Sequence, residues 1–175
     1  MTPDRSAKQP PALPPIEYET TDGFRVLVGR NNLQNDKLSM KQAGKLDMWL
    51  HTKDFPGSHV IIKTEGSIPD STLADAATLA AWYSKGQHSS MVPIDYTLKR
   101  YVKKIPGGAT GMVTYTNQKT AYMTVTEADV KKIELIPAND RTVIIMVIAS
   151  NGVIKNKAYR LDMICSKEIL SFFNK

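Results

Sequence analysis

Apolar residues recur along this chain at two spacings, and each spacing names an element. Phe24-Arg-Val-Leu-Val28 is β-prone and stops at Gly29, which predicts a strand, and order begins near Ile16, where such residues first appear. Asn32 is placed to cap a helix running to about Gly44, with Leu33, Leu38, Met40 and Ala43 in imperfect helical spacing and Gly44 as the stop. Asp47–His51 then alternates, so that Met48 and Leu50 face one way and Asp47, Trp49 and His51 the other. His59–Lys63 predicts the next strand, across a Pro56-Gly57 turn. The clearest helix covers roughly 70–86, with Leu73, Ala76, Ala77, Ala80 and Ala81 on its buried face. Side chains this small fit close packing on a sheet.

Beyond residue 90 strands dominate. Val92–Thr97, Arg100–Lys104, Met112–Thr116 and Thr120–Val125 read as strands, with turns at Pro106-Gly107-Gly108 and Asn117-Gln118. Arg141–Ser150, Asn151-Gly152 and Val153–Leu161 spell a hairpin, because Asn-Gly supplies the positive φ angles of a type I′ turn. A short helix is expected from Ser166. The fold class that follows is α+β: a mixed, mostly antiparallel sheet, two main helices, and a C-terminal β-hairpin plus short helix. Residues 1–15 hold five of the ten prolines and read as an extended, disordered leader. A boundary is expected near 127, because residues 127–175 are richer in Ile and Val and hold no histidine or tryptophan. The expected units are therefore 1–15, 16–126 and 127–175.

Composition narrows the class. With 42% hydrophobic and 23% charged residues, the chain has enough apolar material for a core and too little for a membrane protein. Its longest apolar run, Val143–Ala149, is far short of the roughly 20 residues of a bilayer-spanning helix. A single cysteine, Cys165, excludes an intrachain disulfide framework and a multi-cysteine zinc site. The first residues lack the apolar stretch of a signal peptide, so a cytoplasmic location away from membranes is expected. The net charge is +6, and its placement matters more than its total. Between Asp95 and Glu127 the chain carries Lys99, Arg100, Lys103, Lys104 and Lys119 and no acid. A local positive field of this kind attracts phosphates and points to a polyanion, most simply a nucleic acid. A solvated basic face is the plainer alternative.

The most informative stretch is His51-Thr-Lys-Asp-Phe-Pro-Gly-Ser-His59. If its flanking strands pair, His51 and His59 meet at the mouth of one loop that also carries Lys53, Gly57 and Ser58. Glycine admits a close anion, and lysine and hydroxyl add donors, so the loop suits a phosphate. Trp49, on the face of His51, would stack on a base. Read singly, these residues are as readily a core tryptophan and two structural histidines. An enzymatic alternative makes the histidines the acid and base of a phosphodiester reaction. A metal is not expected: His51, His59 and Asp54 or Asp47 could supply three ligands, but their spacing fits no zinc signature. No Gly-x-Ser-x-Gly elbow, P-loop or Rossmann fingerprint occurs, and no cofactor is expected. Ala81-Trp82-Tyr83-Ser84-Lys85-Gly86 places Lys85 at a helix end beside two aromatics. On a strand over Tyr96–Lys104, Lys99, Tyr101 and Lys103 would share one face, a strip for a phosphate backbone or a lysine-protected edge.

Six segments resemble, in order, the NFACT-R domain over roughly residues 16–126. They are Gly29-Arg-Asn-Asn-Leu-Gln-Asn-Asp36, Asp47–Ile62, Ala80-Ala-Trp-Tyr-Ser-Lys85, Val92-Pro-Ile-Asp-Tyr-Thr97, Val102-Lys-Lys104 and Gly111–Thr120. That domain is the C-terminal RNA-binding module of the bacterial RqcH proteins, formerly described as fibronectin-binding proteins. The resemblance implies a non-enzymatic module that binds tRNA, alanyl-tRNA above all, and the large ribosomal subunit. Such proteins support C-terminal alanine tailing of stalled nascent chains in ribosome-associated quality control. The family's large N-terminal domain, helix-hairpin-helix segment and coiled-coil arms have no counterpart in these residues, and much of the tRNA and ribosome contact is expected from those parts. Carried over as motif positions are Asn31, Asn32, Asn35, Asp47, Trp49, His51, Gly57, Ser58, His59 and Lys85. With the cations, the expected RNA-binding set adds Arg30, Lys53, Lys99, Lys103 and Lys104. Residues 133–175, around Ile136–Lys157, are similar to a part of the heat-shock repressor HrcA outside its DNA reader, so operator binding is not implied. A separate reading is a protein-interaction domain whose hairpin within 127–175 mediates self-association.

Overall fold

β-Branched residues at alternate positions build the centre of the molecule. The structure, a computed structural model, describes residues 13–136 and the strands at 142–148 and 154–160. Strands β1 (Ile16–Glu19), β2 (Arg25–Val28), β3 (Met48–Thr52) and β4 (Val60–Ile62) come from the first third of the chain. They join β5 (Val92–Leu98), β8 (Lys119–Met123) and β9 (Glu134–Ile136) in a seven-stranded sheet ordered β8-β5-β3-β4-β2-β1-β9. Every pairing in it is antiparallel. The α+β expectation holds. β9 extends the edge at β1, and Val130 and Ile133 pack on the core, so the sheet takes residues from beyond 126.

Both faces of this sheet are covered. On one lies α2 (Asp70–Trp82), whose Ala76, Ala77, Leu79, Ala80 and Ala81 are fully buried against Val26, Val28, Leu50, Val60, Ile62 and Ile94. Alanine keeps the helix axis close to the strands, and each enclosed Val, Leu or Ile contributes about 1.5–3 kcal/mol. The other face carries a composite layer. It consists of α1 (Asn32–Lys37), a π-helical turn (Leu38–Gln42), and a hairpin of β6 (Val102–Lys104) with β7 (Val113–Tyr115). Leu38 and Val102 from this layer seal Trp49, Ile61 and Leu27, a row set by the pairings Trp49↔Ile61 and Leu27↔Ile61.

Several elements differ from the sequence reading, each for a local reason. The cap of α1 is Asn31, whose extended backbone lets its side chain accept from Gln34 N at 2.9 Å. The helix expected through Gly44 is α-helical only to Lys37. The imperfect apolar spacing is absorbed by the π turn, closed by Ala43 N donating to Leu38 O at 2.8 Å. α2 stops at Trp82 rather than 86, because the residues after it bond to the β3–β4 loop: Ser58 N donates to Tyr83 O and Lys85 N to Pro56 O. The strand expected over Arg100–Lys104 begins at Val102, after a 3-10 turn at Lys99–Tyr101. Lys99 N and Arg100 N donate to Asp47 O and Lys45 O, which draws the chain out of β5 and over the face of the sheet.

Strands β10 (Thr142–Ile148) and β11 (Ile154–Arg160) pair antiparallel from Thr142↔Arg160 to Ile148↔Ile154, as the hairpin reading expects. Its Asn-Gly turn and the helix expected from Ser166 lie outside the described residues, as do residues 1–12 of the leader.

Candidate functional site

The alternation of Asp47, Trp49 and His51 does place these side chains on one face of β3, and pairing of β3 with β4 brings His59 beside them. The rings of His51 and His59 stand edge to face with centroids 5.3 Å apart, and Trp49 lies 5.9 Å from His51 and 5.2 Å from His59. The expected convergence of the two histidines is therefore real. Its character is not the expected one.

Trp49 is completely enclosed and His59 is 4% exposed. Trp49 Nε1 donates to Ser39 Oγ at 3.1 Å, and Ser39 Oγ lies 2.7 Å from His59 Nδ1. The serine hydroxyl thus bridges the indole and the imidazole, accepting from Trp49 and sharing a hydrogen bond with His59 Nδ1. Burial, with His51 next in weight, pushes His59 down to about 3, and burial likewise lowers His51. Stacking of Trp49 on a base is thus corrected: the indole packs under Leu38 and against Tyr115, with ring centroids 4.8 Å apart. His59 is likewise out of reach as an acid or base for a phosphodiester.

His51 is half-buried. Its cross-strand partner is Asp95, whose carboxylate accepts from Tyr115 Oη at 2.8 Å and Thr120 Oγ1 at 2.6 Å. Burial foremost, then this bond and the fields of Asp95 and Asp54, pushes the Tyr115 phenol up to about 12. Among the described residues no three His, Cys, Asp or Glu side chains gather as a metal site.

The loop donors are also committed. Asn35, buried beneath α1, accepts from His59 N at 3.0 Å and donates to Gly57 O at 3.3 Å. Ser58 Oγ donates to Gly29 O at 2.5 Å. Gly29 has no room for a side chain, since a Cβ there would strike Asn35 Oδ1. Asp47 accepts from Gly44 N, Thr64 N and Lys63 Nζ and so ties the start of β3 to the end of β4. Arg30 is partly buried, with Nε donating to Pro14 O at 2.7 Å and Nη1 lacking a partner among the described residues. Asn31, Asn32, Lys53 and Lys85 are exposed.

The cations gather elsewhere. On the composite layer Lys103 and Lys104 are exposed, Lys99 is half-buried, and Lys104 Nζ meets Asp36 Oδ1 at 2.9 Å. The expected face shared by Lys99, Tyr101 and Lys103 does not exist, because Lys99 and Tyr101 belong to the 3-10 turn. In its place Lys37 of α1, Lys41 of the π turn and Lys45 in the turn that follows are all exposed, and Arg100, whose N donates to Lys45 O, is exposed beside them. The sequence reading passed over these three lysines, although their spacing of four was a readable signal.

Comparison with known proteins follows this geometry. Residues 15–134 match the family model described as the NFACT protein RNA binding domain. Over 119 residues the chain is 51% identical to the Rqc2 homolog RqcH of Bacillus subtilis (strain 168), covering 67% of this chain and 20% of that protein. With the Rqc2 homolog RqcH of Streptococcus suis (strain 05ZYH33) it shares 45% identity over 122 residues, 69% of this chain and 22% of that one. The chain thus spans about a fifth of the length of these relatives. A solved structure, the C-terminal of the fibronectin/fibrinogen-binding protein from Streptococcus suis, superposes with a TM-score of 0.70 at 41% identity, over 77% of this chain and 54% of that one. The repressor-like stretch of residues 133–175 lies almost wholly beyond the matched segment.

Proposed function

The chain belongs to the NFACT RNA-binding domain family, and from that premise we propose that it serves as the RNA-binding module of a protein of the RqcH type, working in the cytoplasm in ribosome-associated quality control. Its partners in this reading are tRNA, alanyl-tRNA by the family resemblance, and the large ribosomal subunit. The module holds RNA in support of alanine tailing of stalled chains and makes no bond itself. The observation that carries the reading is the family match over residues 15–134, which coincides with the seven-stranded sheet and the layers on both of its faces. Two features support it physically. Exposed lysines and an arginine cluster on one layer, where phosphates are attracted. The histidines, by contrast, sit neutral and packed, which suits a scaffold better than proton transfer.

Filter retention of tRNA across a salt series tests the proposal. Retention at low ionic strength, falling linearly on a log-log plot as salt rises, is the expected result. Absence of binding at low salt by protein with a folded circular dichroism spectrum overturns it. A companion proposal concerns the tail: β10 and β11 pair only with each other among the described residues, and unpaired strand edges invite a second copy. Deleting residues 137–175 then lowers the mass seen by light scattering, and an unchanged mass removes that role.

A further inference from the structure

The composite layer has a side that faces away from the sheet, and its cations form one strip. The segment from Arg100 to Gly111 touches the stretch from Asn32 to Lys45 at three points. At one end Arg100 N donates to Lys45 O at 3.1 Å. In the middle Lys104 Nζ pairs with Asp36, whose carboxyl is held low by that bond and by the fields of Lys104 and Lys41. At the other end Gly111, with φ +86°, meets Asn32 so closely that a Cβ would stand 3.0 Å from Asn32 O. Hence Lys37 of α1, Lys41 of the π turn and Lys45 just beyond it stand beside Arg100 of the 3-10 turn and Lys103 of β6, all five exposed. The two acids bordering it are already engaged, Asp36 by Lys104 and Asp47 by Lys63.

The strip ends in apolar surface. Leu33 and Met112 follow directly on the contact between Asn32 and Gly111, and they are 74% and 52% exposed. Neither contributes to either core of the sheet. From Leu33 to Lys41 the helical turns span at most about 12 Å at a rise of about 1.5 Å per residue, and Lys45 extends the row beyond them, a reach of a few nucleotides. Cations in a row with an apolar platform at one end fit a strand whose phosphates lie on the row and whose last base is unstacked. A blunt duplex offers phosphates and the outer faces of its terminal pairs, but no unpaired base that can turn onto such a platform.

Resting on the RNA-binding reading above, we infer that RNA docks along this strip, its phosphates on Lys37, Lys41, Lys45, Arg100 and Lys103 and an unpaired base against Leu33 and Met112. The ligand class is therefore RNA with an unpaired end or loop. The histidine-bearing loop lies beneath the surface that holds it.

The test uses fluorescence anisotropy with two RNAs of equal phosphate number, a hairpin with a single-stranded 3′ extension and a blunt duplex, across a salt series. Wild type is expected to prefer the extended hairpin. The triple variant Lys37→Gln, Lys41→Gln, Arg100→Gln is expected to bind at least ten-fold more weakly near 0.1 M salt, with a log-log slope shallower by about 2–3, at roughly 0.7–0.9 per phosphate contact. Leu33→Ser with Met112→Ser is expected to erase the preference for the extended hairpin at an unchanged slope. Lys53→Gln with Lys85→Gln, on the loop side, is expected to leave the slope as it is. Wild type that binds, with strip variants that bind equally well, overturns the docking site. Loss of slope confined to the Lys53/Lys85 variant does the same, and an equal affinity of wild type for both RNAs overturns the unpaired-base assignment. Wild type that binds neither RNA removes the RNA-binding reading itself. All variants change exposed side chains, and unfolding curves superposable on wild type establish that the fold is kept.

Discussion

The cluster beneath the composite layer and the strip along its outer side are built from adjoining stretches of the same chain, yet they obey opposite rules. Beneath, Trp49, His59, Ser39 and Asn35 are buried and tied to one another by hydrogen bonds, and the histidines are driven toward the neutral form. Outside, Lys37, Lys41, Lys45, Arg100 and Lys103 stand in water, with the neighbouring acids already neutralised. Residues rich in chemical potential have been used to fasten the layer down, and residues of plain charge have been left to meet a partner. Buried polar networks act through the fold, whereas exposed cations act through their field, and the two respond to different perturbations.

The largest way to break this contrast is Trp49→Ala. Removing an enclosed indole is expected to lower stability by about 3–5 kcal/mol, read from denaturant unfolding. A change below 1 kcal/mol would return Trp49 to the list of contact residues. Gly29→Ala is next, at about 1–3 kcal/mol, since its Cβ would strike Asn35 Oδ1. The double variant with Asn35→Ala is expected to cost less than the two single changes added together, because the clashing atom is gone. Independent costs in that cycle would show that the two residues do not share a site.

Acid titration sharpens the contrast further. His59 titrates at about 3 in the folded protein, against an ordinary value of 6.5, so between these values the unfolded chain holds the extra proton. Stability is then flat above pH 6.5 and falls as pH drops toward 3, with a slope of up to about 1.4 kcal/mol per pH unit from this one group. His59→Gln is expected to flatten that slope, and a slope unaltered by the substitution would assign it to His51, which burial also lowers, or to the carboxylates. Smallest is Lys104→Ala. Its partner pairing is half exposed, so stability is expected to shift by less than about 1 kcal/mol, while the salt slope of RNA binding stays within 1 of wild type.

Much of the scaffold was legible before any coordinates. The alternation at Asp47–His51, the strand at His59–Lys63 and the turn between them correctly joined the two histidines. What alternation does not tell is which face is covered. A strand with Leu50 on one side and Trp49 on the other reads as half-exposed, and only the return of α1 and β6–β7 over the second face buries both. The fate of Lys99–Tyr101 was hidden for a related reason: the carbonyls that bend the chain there belong to Lys45 and Asp47, some fifty residues away in sequence. Lys37, Lys41 and Lys45 were visible in their spacing, but an acid-free stretch further on drew the eye to Lys99–Lys104 instead. Asn31 and Asn32 offered the same capping chemistry one residue apart, and backbone conformation chose between them.

The π turn at Leu38–Gln42 bears on how this surface changes across lineages. Such a turn is an α-helix carrying one surplus residue. Losing a single codon there would remove the surplus and let the turn close as an ordinary α-helical one, the residues before and after it keeping their places. Lys41, inside the turn, is the cation this would move, while Lys37 before it and Lys45 beyond it would stay. Orthologues one residue shorter at this spot are thus expected to keep the strands below and to differ in where that one charge sits.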